Sequence, residues 1–238
     1  MNKISQTISW VFLPFSMPIY ALLIAFYIES YSFKSFNYNL WILNDDAKSA
    51  LLSIFFIFTV VAPGLSYIVL RKQNIISSIE MDERKERFIP ISIMFLYCLA
   101  LFILMYFKLN SSEFPKIIYL LPLSGAISAL LMLGINNFMK ISLHACGAGI
   151  FLGFLLAYFG HLSFYNFYII PLSIILCGTI LSARFYLQKH NIIELAAGFF
   201  TGGLTTFVFC YFLNWATQNY FTTNFFVLDI LPTVTLIK

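Results

Sequence analysis

The chain has 238 residues, of which 61% are hydrophobic, 19% aromatic and only 10% charged, and its formal net charge is +4. Soluble domains carry about 25% charged residues, so this composition excludes a protein whose whole surface faces water. A positive charge this small does not indicate a nucleic-acid partner, and none is expected.

Apolar stretches with at most one charged residue, long enough to cross a membrane, recur along the chain. A spanning helix needs about 20 consecutive apolar residues. Stretches of this kind occupy 10–27, 50–70, 88–107, 117–139, 141–183 and 192–213. The fifth is too long for one helix and is interrupted by Gly160, His161, Ser163 and Asn166, which predicts two helices joined by a turn. We therefore predict an all-α, polytopic bundle of about six or seven spanning helices.

The polar segments between these stretches are short. The longest, 29–48 and 71–87, cannot bury a hydrophobic core of their own, so we predict one integral membrane domain over 1–238. Lys3 precedes an apolar stretch as in a signal peptide, but no small-residue cleavage site follows, so we expect a retained first helix. The aromatic tail 214–238 is expected along the membrane interface.

Neither a metal nor a cofactor is expected. The four cysteines lie inside predicted spans without paired or metal-type spacing, and we expect them to be packing residues. They are Cys98, Cys146, Cys177 and Cys210.

Alternation of seven spans predicts that the polar residues gather on one side of the membrane. Ionisable residues at membrane depth are costly and point to function. The side shared by the N-terminus and the loops after the second, fourth and sixth spans collects Asp82, Arg84, Lys85, Arg87, Lys140, His144, Arg184, Lys189, His190 and Glu194. The polar residues of the opposite side show no repeated spacing.

Three segments form the predicted polar site. In the segment 81–90, Arg84 and Arg87 are three residues apart and share a helical face, where two guanidinium groups can bind phosphate oxygens. A solvated loop neutralised by Glu83 and Glu86 is the alternative for this segment.

The segment 140–145 opens a helix with Lys140, Ser142 and His144. A helix N-terminus attracts anions, and Ser142 either caps the helix or donates to a phosphate oxygen. A lone histidine at this position is more often a hydrogen-bonded structural residue.

In the third segment, 182–194, His190 and Glu194 are one helical turn apart. A carboxylate at that spacing can fix the imidazole tautomer. A histidine and a glutamate at this spacing are common by chance, so the pair indicates a functional site only together with the other two segments.

Taken together, the segments resemble the signature of the type 2 phosphatidic acid phosphatase superfamily, which consists of Lys-x6-Arg-Pro, Pro-Ser-Gly-His and Ser-Arg-x5-His-x3-Asp elements. Arg184, His190 and Glu194 match the third element in spacing, with Ala183 in place of serine and Glu194 in place of aspartate. Ser142 and His144 match the second.

Two departures from the signature stand out. Ile141 and Leu143 replace the proline and glycine of the second element. No lysine precedes an Arg-Pro pair at the required distance in the first element, where only Arg84, Lys85, Arg87 and Pro90 are similar to it.

The resemblance implies a phosphatase-like core at about 50–213 and metal-independent hydrolysis of a membrane lipid phosphate or prenyl pyrophosphate through a phosphohistidine. It implies that His190 is the nucleophile, that Glu194 orients it, and that His144 protonates the leaving oxygen. The phosphoryl group would be held by Arg184, Ser142, Lys140 and one or both of Arg84 and Arg87.

Glycine spacing predicts close packing of the helices that carry the two histidines. Gly149 and Gly153 on one helix, and Gly198 and Gly202 on the other, follow the small-x-x-x-small pattern. This pattern serves packing under any function.

Alternative functions remain open from the sequence. They are a catalytically inactive relative that binds lipid or protein partners, and a small transporter of anions or lipids, although no internal repeat supports a transporter. The expected location is a bacterial inner membrane. Lysine and arginine counts favour a cytoplasmic site, whereas the resemblance favours an extracytoplasmic one.

Overall fold

The computed structural model describes residues 2–31, 39–77, 84–109 and 114–213, so the predicted interfacial tail 214–238 lies outside the described residues. The helices in chain order are α1 (Asn2–Val11), α2 (Met17–Tyr27), α3 (Asp45–Phe56), α4 (Ala62–Lys72), α5 (Phe88–Leu109), α6 (Ile117–Asn136), α7 (Leu143–Gly160), α8 (Ile169–Tyr186) and α9 (Ile192–Val208). A π turn at Ile57–Val61 joins α3 to α4, a 3₁₀ turn covers Lys85–Arg87, and a second π turn at Phe209–Leu213 extends α9.

Six helical segments among the described residues are long and apolar enough to cross a membrane. They are Asp45–Lys72, Lys85–Leu109, Ile117–Asn136, Leu143–Gly160, Ile169–Tyr186 and Ile192–Leu213. The predicted all-α polytopic bundle is therefore confirmed. The break predicted within 141–183 separates α7 from α8.

The first predicted span, 10–27, differs from the structure. α1 ends at Val11 and α2 begins at Met17, and Pro14 lies between them while Pro18 stands in the first turn of α2. Proline has no N–H to donate and fits only the first turn of a helix, so the chain forms two short helices here. The 11 residues of α2 rise about 16 Å, roughly half of the hydrocarbon core.

α7 lies at the centre of the bundle. It is the most buried of the six spanning segments, and the fully buried aromatic side chains Phe151, Phe154, Tyr158 and Phe159 lie along it. α2, α8 and α9 pack around it.

Glycines bring α7 and α9 into backbone contact, as their spacing predicts. A Cβ atom at Gly149 would lie 2.7 Å from the Gly203 nitrogen, and one at Gly198 would lie 2.5 Å from the Ser142 oxygen. Real Cβ atoms do not approach other atoms closer than 3.0 Å. Only a residue without a side chain therefore allows this separation of the two helices.

A polar network closes the end of the bundle opposite the predicted site. Two short strands, β1 (Ser30–Tyr31) and β2 (Phe164–Tyr165), pair antiparallel there. The buried Tyr158 hydroxyl donates to the Asn39 side-chain oxygen over 3.2 Å and accepts from the Leu40 N–H over 3.0 Å. The network thus ties the segment after β1 to the last turns of α7.

Candidate functional site

The turn between α8 and α9 places Arg184 and His190 at one end of the bundle. The Lys189 N–H donates to the Arg184 carbonyl over 3.3 Å, and the Gln188 N–H donates to the Phe185 carbonyl over 2.9 Å. These are the two bonds of a Schellman motif. Gln188 occupies its left-handed position, with φ 54°. The five residues between Arg184 and His190 are therefore the last turn of α8 and its C-terminal cap.

Asn191 then starts α9 and fixes Glu194. The Asn191 side-chain oxygen accepts from the Glu194 N–H over 2.9 Å, and its side-chain N–H donates to Glu194 Oε1 over 3.1 Å. This is a variant of the capping box, with Asn191 as N-cap and Glu194 three residues on. Neither of these bonds uses Oε2 of Glu194.

Glu194 Oε2 lies 2.7 Å from Nδ1 of His190. A carboxylate accepts hydrogen bonds, so Nδ1 carries the proton and Nε2 keeps its lone pair. Burial, together with the charges of Arg87, Lys140, Arg184 and His144, lowers the pKa of His190 to about 2. The ring is therefore a neutral imidazole whose Nε2 carries a lone pair.

The same electrostatic effects show which side chains surround His190. Arg87 comes from the turn before α5, Lys140 from the segment before α7, and Arg184 from the last turn of α8. Arg87 and Arg184 are buried, with 2% and 3% of their surfaces exposed. Desolvated positive charges at this density favour binding of an anion.

The segment 84–87 contacts the loop before α7. The Arg87 guanidinium donates to the Ile141 carbonyl, and the Asn136 side chain at the end of α6 donates to the Arg84 carbonyl over 3.1 Å. The Glu86 carboxylate binds Ser77 through its N–H and hydroxyl, at 3.0 and 2.9 Å. Arg87 is buried, so it is not part of a solvated loop. Arg84, in contrast, is exposed. Glu83, the other carboxylate of that alternative, lies outside the described residues.

Ser142 and His144 open α7 beside these cations. Ser142 is the N-cap, its hydroxyl oxygen accepts from the Ala145 N–H over 3.3 Å, and it is fully buried. His144 Nε2 lies 3.1 Å from the Ser9 carbonyl of α1. Because a carbonyl oxygen only accepts, the proton of a neutral His144 ring lies on Nε2.

Leu143, aligned with the glycine of the phosphatase signature that the sequence resembles, packs into the bundle. It contacts the buried apolar cluster of Tyr67, Leu70 and Ile76. It also lines a small apolar cavity of about 60 Å³ between the helices. The leucine therefore contributes packing beneath the site.

His190 lies at the edge of an open depression of about 760 Å³, which Phe185, Tyr186, Gln188 and Asn191 also line. Only 2% of the His190 side chain is exposed. Because neighbouring groups cover the imidazole ring, a ligand in this depression reaches Nε2 only after some of these groups move away from it.

The sequence motifs did not indicate several residues that shape this site: Ser9, Tyr67, Asn136 and Asn191. The Asn-x-x-Glu spacing of a capping box is the one available signal, and it points to Asn191. The other three reach the site through tertiary packing.

Within the described part of the chain, no three His, Cys, Asp or Glu side chains lie together as a metal site would require. No protein-family model, curated protein or solved structure matches this chain.

Proposed function

We propose that this membrane protein is a lipid-phosphate or prenyl-pyrophosphate phosphatase that acts through a phosphohistidine at His190. The observation that carries the proposal is the 2.7 Å contact of His190 Nδ1 with Glu194, made beside three cationic side chains. An imidazole needs its other nitrogen engaged before it can attack phosphorus, and the phosphoryl oxygens need preorganised positive charge.

In the first step, Nε2 of His190 attacks phosphorus, a P–N bond forms and the bond to the lipid oxygen breaks. The leaving oxygen takes a proton from His144. Water then attacks phosphorus, the P–N bond breaks, and His144 recovers a proton from that water. Arg87, Lys140 and Arg184 stabilise the charge on the phosphoryl oxygens.

The Ser9 contact sets a condition on the role of His144. Its Nε2–H is engaged with the Ser9 carbonyl at 3.1 Å. Proton transfer to a leaving oxygen then requires the ring to carry a second proton on Nδ1, because a neutral ring that gave up its Nε2 proton would become an imidazolate.

The apolar groove between α1, α8 and α9 supports a lipid substrate. It has a volume of about 750 Å³ and includes Ile8, Leu195 and Phe199 among its lining residues. Phe185 and Tyr186 line both this groove and the depression at His190. An acyl or prenyl chain in the groove would therefore place its headgroup near the cations. A bacterial inner membrane, with the site on its outer face, is the location we propose.

The test is phosphate release from lipid phosphates and prenyl pyrophosphates in detergent, with a chelator present. Chelator-resistant release that disappears in His190→Ala and falls in Glu194→Gln is expected. Lys189→Ala is the matched control on the same turn, since no step is assigned to it. Absence of release from every lipid tested, or release that survives His190→Ala, would refute the proposal, and the first outcome would favour a catalytically inactive relative.

A further inference from the structure

Two buried hydroxyl groups near the cationic cluster have no hydrogen-bond partner among the described residues. They are Ser9 Oγ and the phenol oxygen of Tyr67. Ser9 is 7% and Tyr67 5% exposed. A buried hydroxyl without a partner costs free energy, so each such group calls for an explanation.

Ser9 borders the start of α7 on one side. Its own carbonyl oxygen lies 3.1 Å from His144 Nε2, and α1, which carries it, packs against α8. Arg184 lies in the last turn of α8. Ser9 is thus in contact with one of the two histidines through its backbone, on a helix that packs against the helix of a buried arginine.

Tyr67 borders the start of α7 through a different element, α4. Its cluster packs against Leu143, the first residue of α7, and its ring lies 5.2 Å from the Phe15 ring. The charge of Arg87 acts on its hydroxyl. Arg87 in turn donates to the Ile141 carbonyl, one residue before Ser142. Tyr67 therefore approaches the same helix end from the side of Arg87.

We infer that the Ser9 and Tyr67 hydroxyls are two further ligands of a phosphoryl group held at the start of α7. Both groups can donate to an anionic oxygen, and an α-helix N-terminus supplies N–H groups and a positive dipole end for the same oxygens. The bound anion gives both buried hydroxyls the partner they lack. The inference rests on the proposed function, because it takes the anion of this cluster to be phosphoryl.

The chain contains a matched control. Ser128 Oγ is also buried without a partner among the described residues, and the residue is 1% exposed. It lies on α6, lining the small apolar cavity, eight residues or about 12 Å before the helix end at Asn136. Ser128→Ala therefore makes the same chemical change at equal burial, away from the cations.

The experiment measures binding of two probes to the full chain in detergent: inorganic phosphate, and a long-chain alkylphosphonate that cannot be hydrolysed. We expect Ser9→Ala and Tyr67→Phe each to raise the dissociation constant about ten- to a hundredfold, the effect of one hydrogen bond to a charged group. Ser128→Ala should leave it within about twofold of the wild type. Binding of both probes would indicate a site for free phosphate, and binding of the phosphonate alone a site for a lipid headgroup.

Misfolding does not account for the expected loss. Removing a buried hydroxyl that lacks a partner is neutral or stabilising, so the ligand-free melting temperatures of Ser9→Ala and Tyr67→Phe should equal or exceed that of the wild type. Wild-type binding that both variants retain, or no binding of either probe by the wild type, would overturn the inference. Phosphate release that depends on His190 but is unchanged in both variants would overturn it alone and leave the proposed function standing.

Discussion

Substituting Gly198 should separate α9 from the start of α7 and disturb the site through the backbone. The Cβ of an alanine at this position would lie 2.5 Å from the Ser142 carbonyl oxygen and 3.2 Å from the Ala145 Cβ. Ser142 is the N-cap of α7, and α9 begins with the turn that holds Glu194 on His190. A single methyl group thus meets backbone that belongs to the site.

The size of the effect follows from the distances. An ordinary contact begins near 3.4 Å, so the two backbones must move apart by about 0.9 Å. Overpacking of this kind costs about 1–3 kcal/mol. It is opposed by the better helix propensity of alanine, about 1 kcal/mol. A displacement near 1 Å can also cost about a hundredfold in rate when it misplaces catalytic groups.

The assay compares Gly198→Ala with Gly178→Ala. Gly178 lies on α8, where a Cβ would meet nothing within 4 Å, so this control changes helix propensity alone. Denaturant unfolding in detergent should show Gly198→Ala less stable than Gly178→Ala by about 1–3 kcal/mol, and phosphate release should fall only in Gly198→Ala. Equal stability of the two variants would refute the close approach of α7 and α9.

Three further predictions concern the turn that carries His190. Gln188→Gly should stabilise the protein by about 0.5–1 kcal/mol, because glycine accepts the left-handed φ of 54° without a side-chain penalty; an unchanged unfolding midpoint would contradict that conformation. Asn191→Ala should lower the free energy of unfolding by about 1 kcal/mol through loss of the N-cap, and it should also reduce phosphate release. Asn44→Ala, which removes the equivalent cap of α3, should lower stability by the same amount without affecting release. Because burial lowers the pKa of His190 to about 2, the folded ring stays neutral while the unfolded ring gains a proton below about pH 6.5. The free energy of unfolding should therefore fall on acidification by up to about 1.4 kcal/mol per pH unit. His190→Gln should reduce this pH dependence, and stability profiles of wild type and variant that run parallel with pH would show that His190 is an ordinary histidine.

The helical bundle was predictable from the sequence, because apolar stretches of about 20 residues with few charges form membrane-spanning helices. The break between α7 and α8 was also predictable, since Gly160 and its polar neighbours interrupt the apolar stretch. The first span was predicted wrongly because the prediction used hydropathy alone. Hydropathy does not take into account that proline has no backbone N–H, and Pro14 lies between α1 and α2.

The site was predictable only in the parts that depend on local spacing. The spacing of His190 and Glu194 predicted their contact, but its basis is not a shared helical face: His190 precedes the N-cap Asn191, whose bonds to Glu194 hold the carboxylate beside the ring. The Schellman cap after α8 accounts for the five residues between Arg184 and His190. Ser9 and Tyr67 lie far from the motifs along the chain, and Asn136 lies just before the second segment without belonging to its pattern. Their contribution depends on how α1, α4 and α6 pack, which a motif does not encode.

The polar network around Tyr158 has a consequence for the membrane itself. Cations and water gathered at one end of a bundle would offer protons and small ions a leak if the polar path continued to the other end. The buried rings of Phe151 and Phe154 lie in the middle of α7, and at its far end Tyr158 is hydrogen-bonded to Asn39 and Leu40. Among the described residues, aromatic packing separates the cationic cluster at one end of α7 from the polar network at the other, so the proposed phosphate site would not conduct protons or ions across the bilayer.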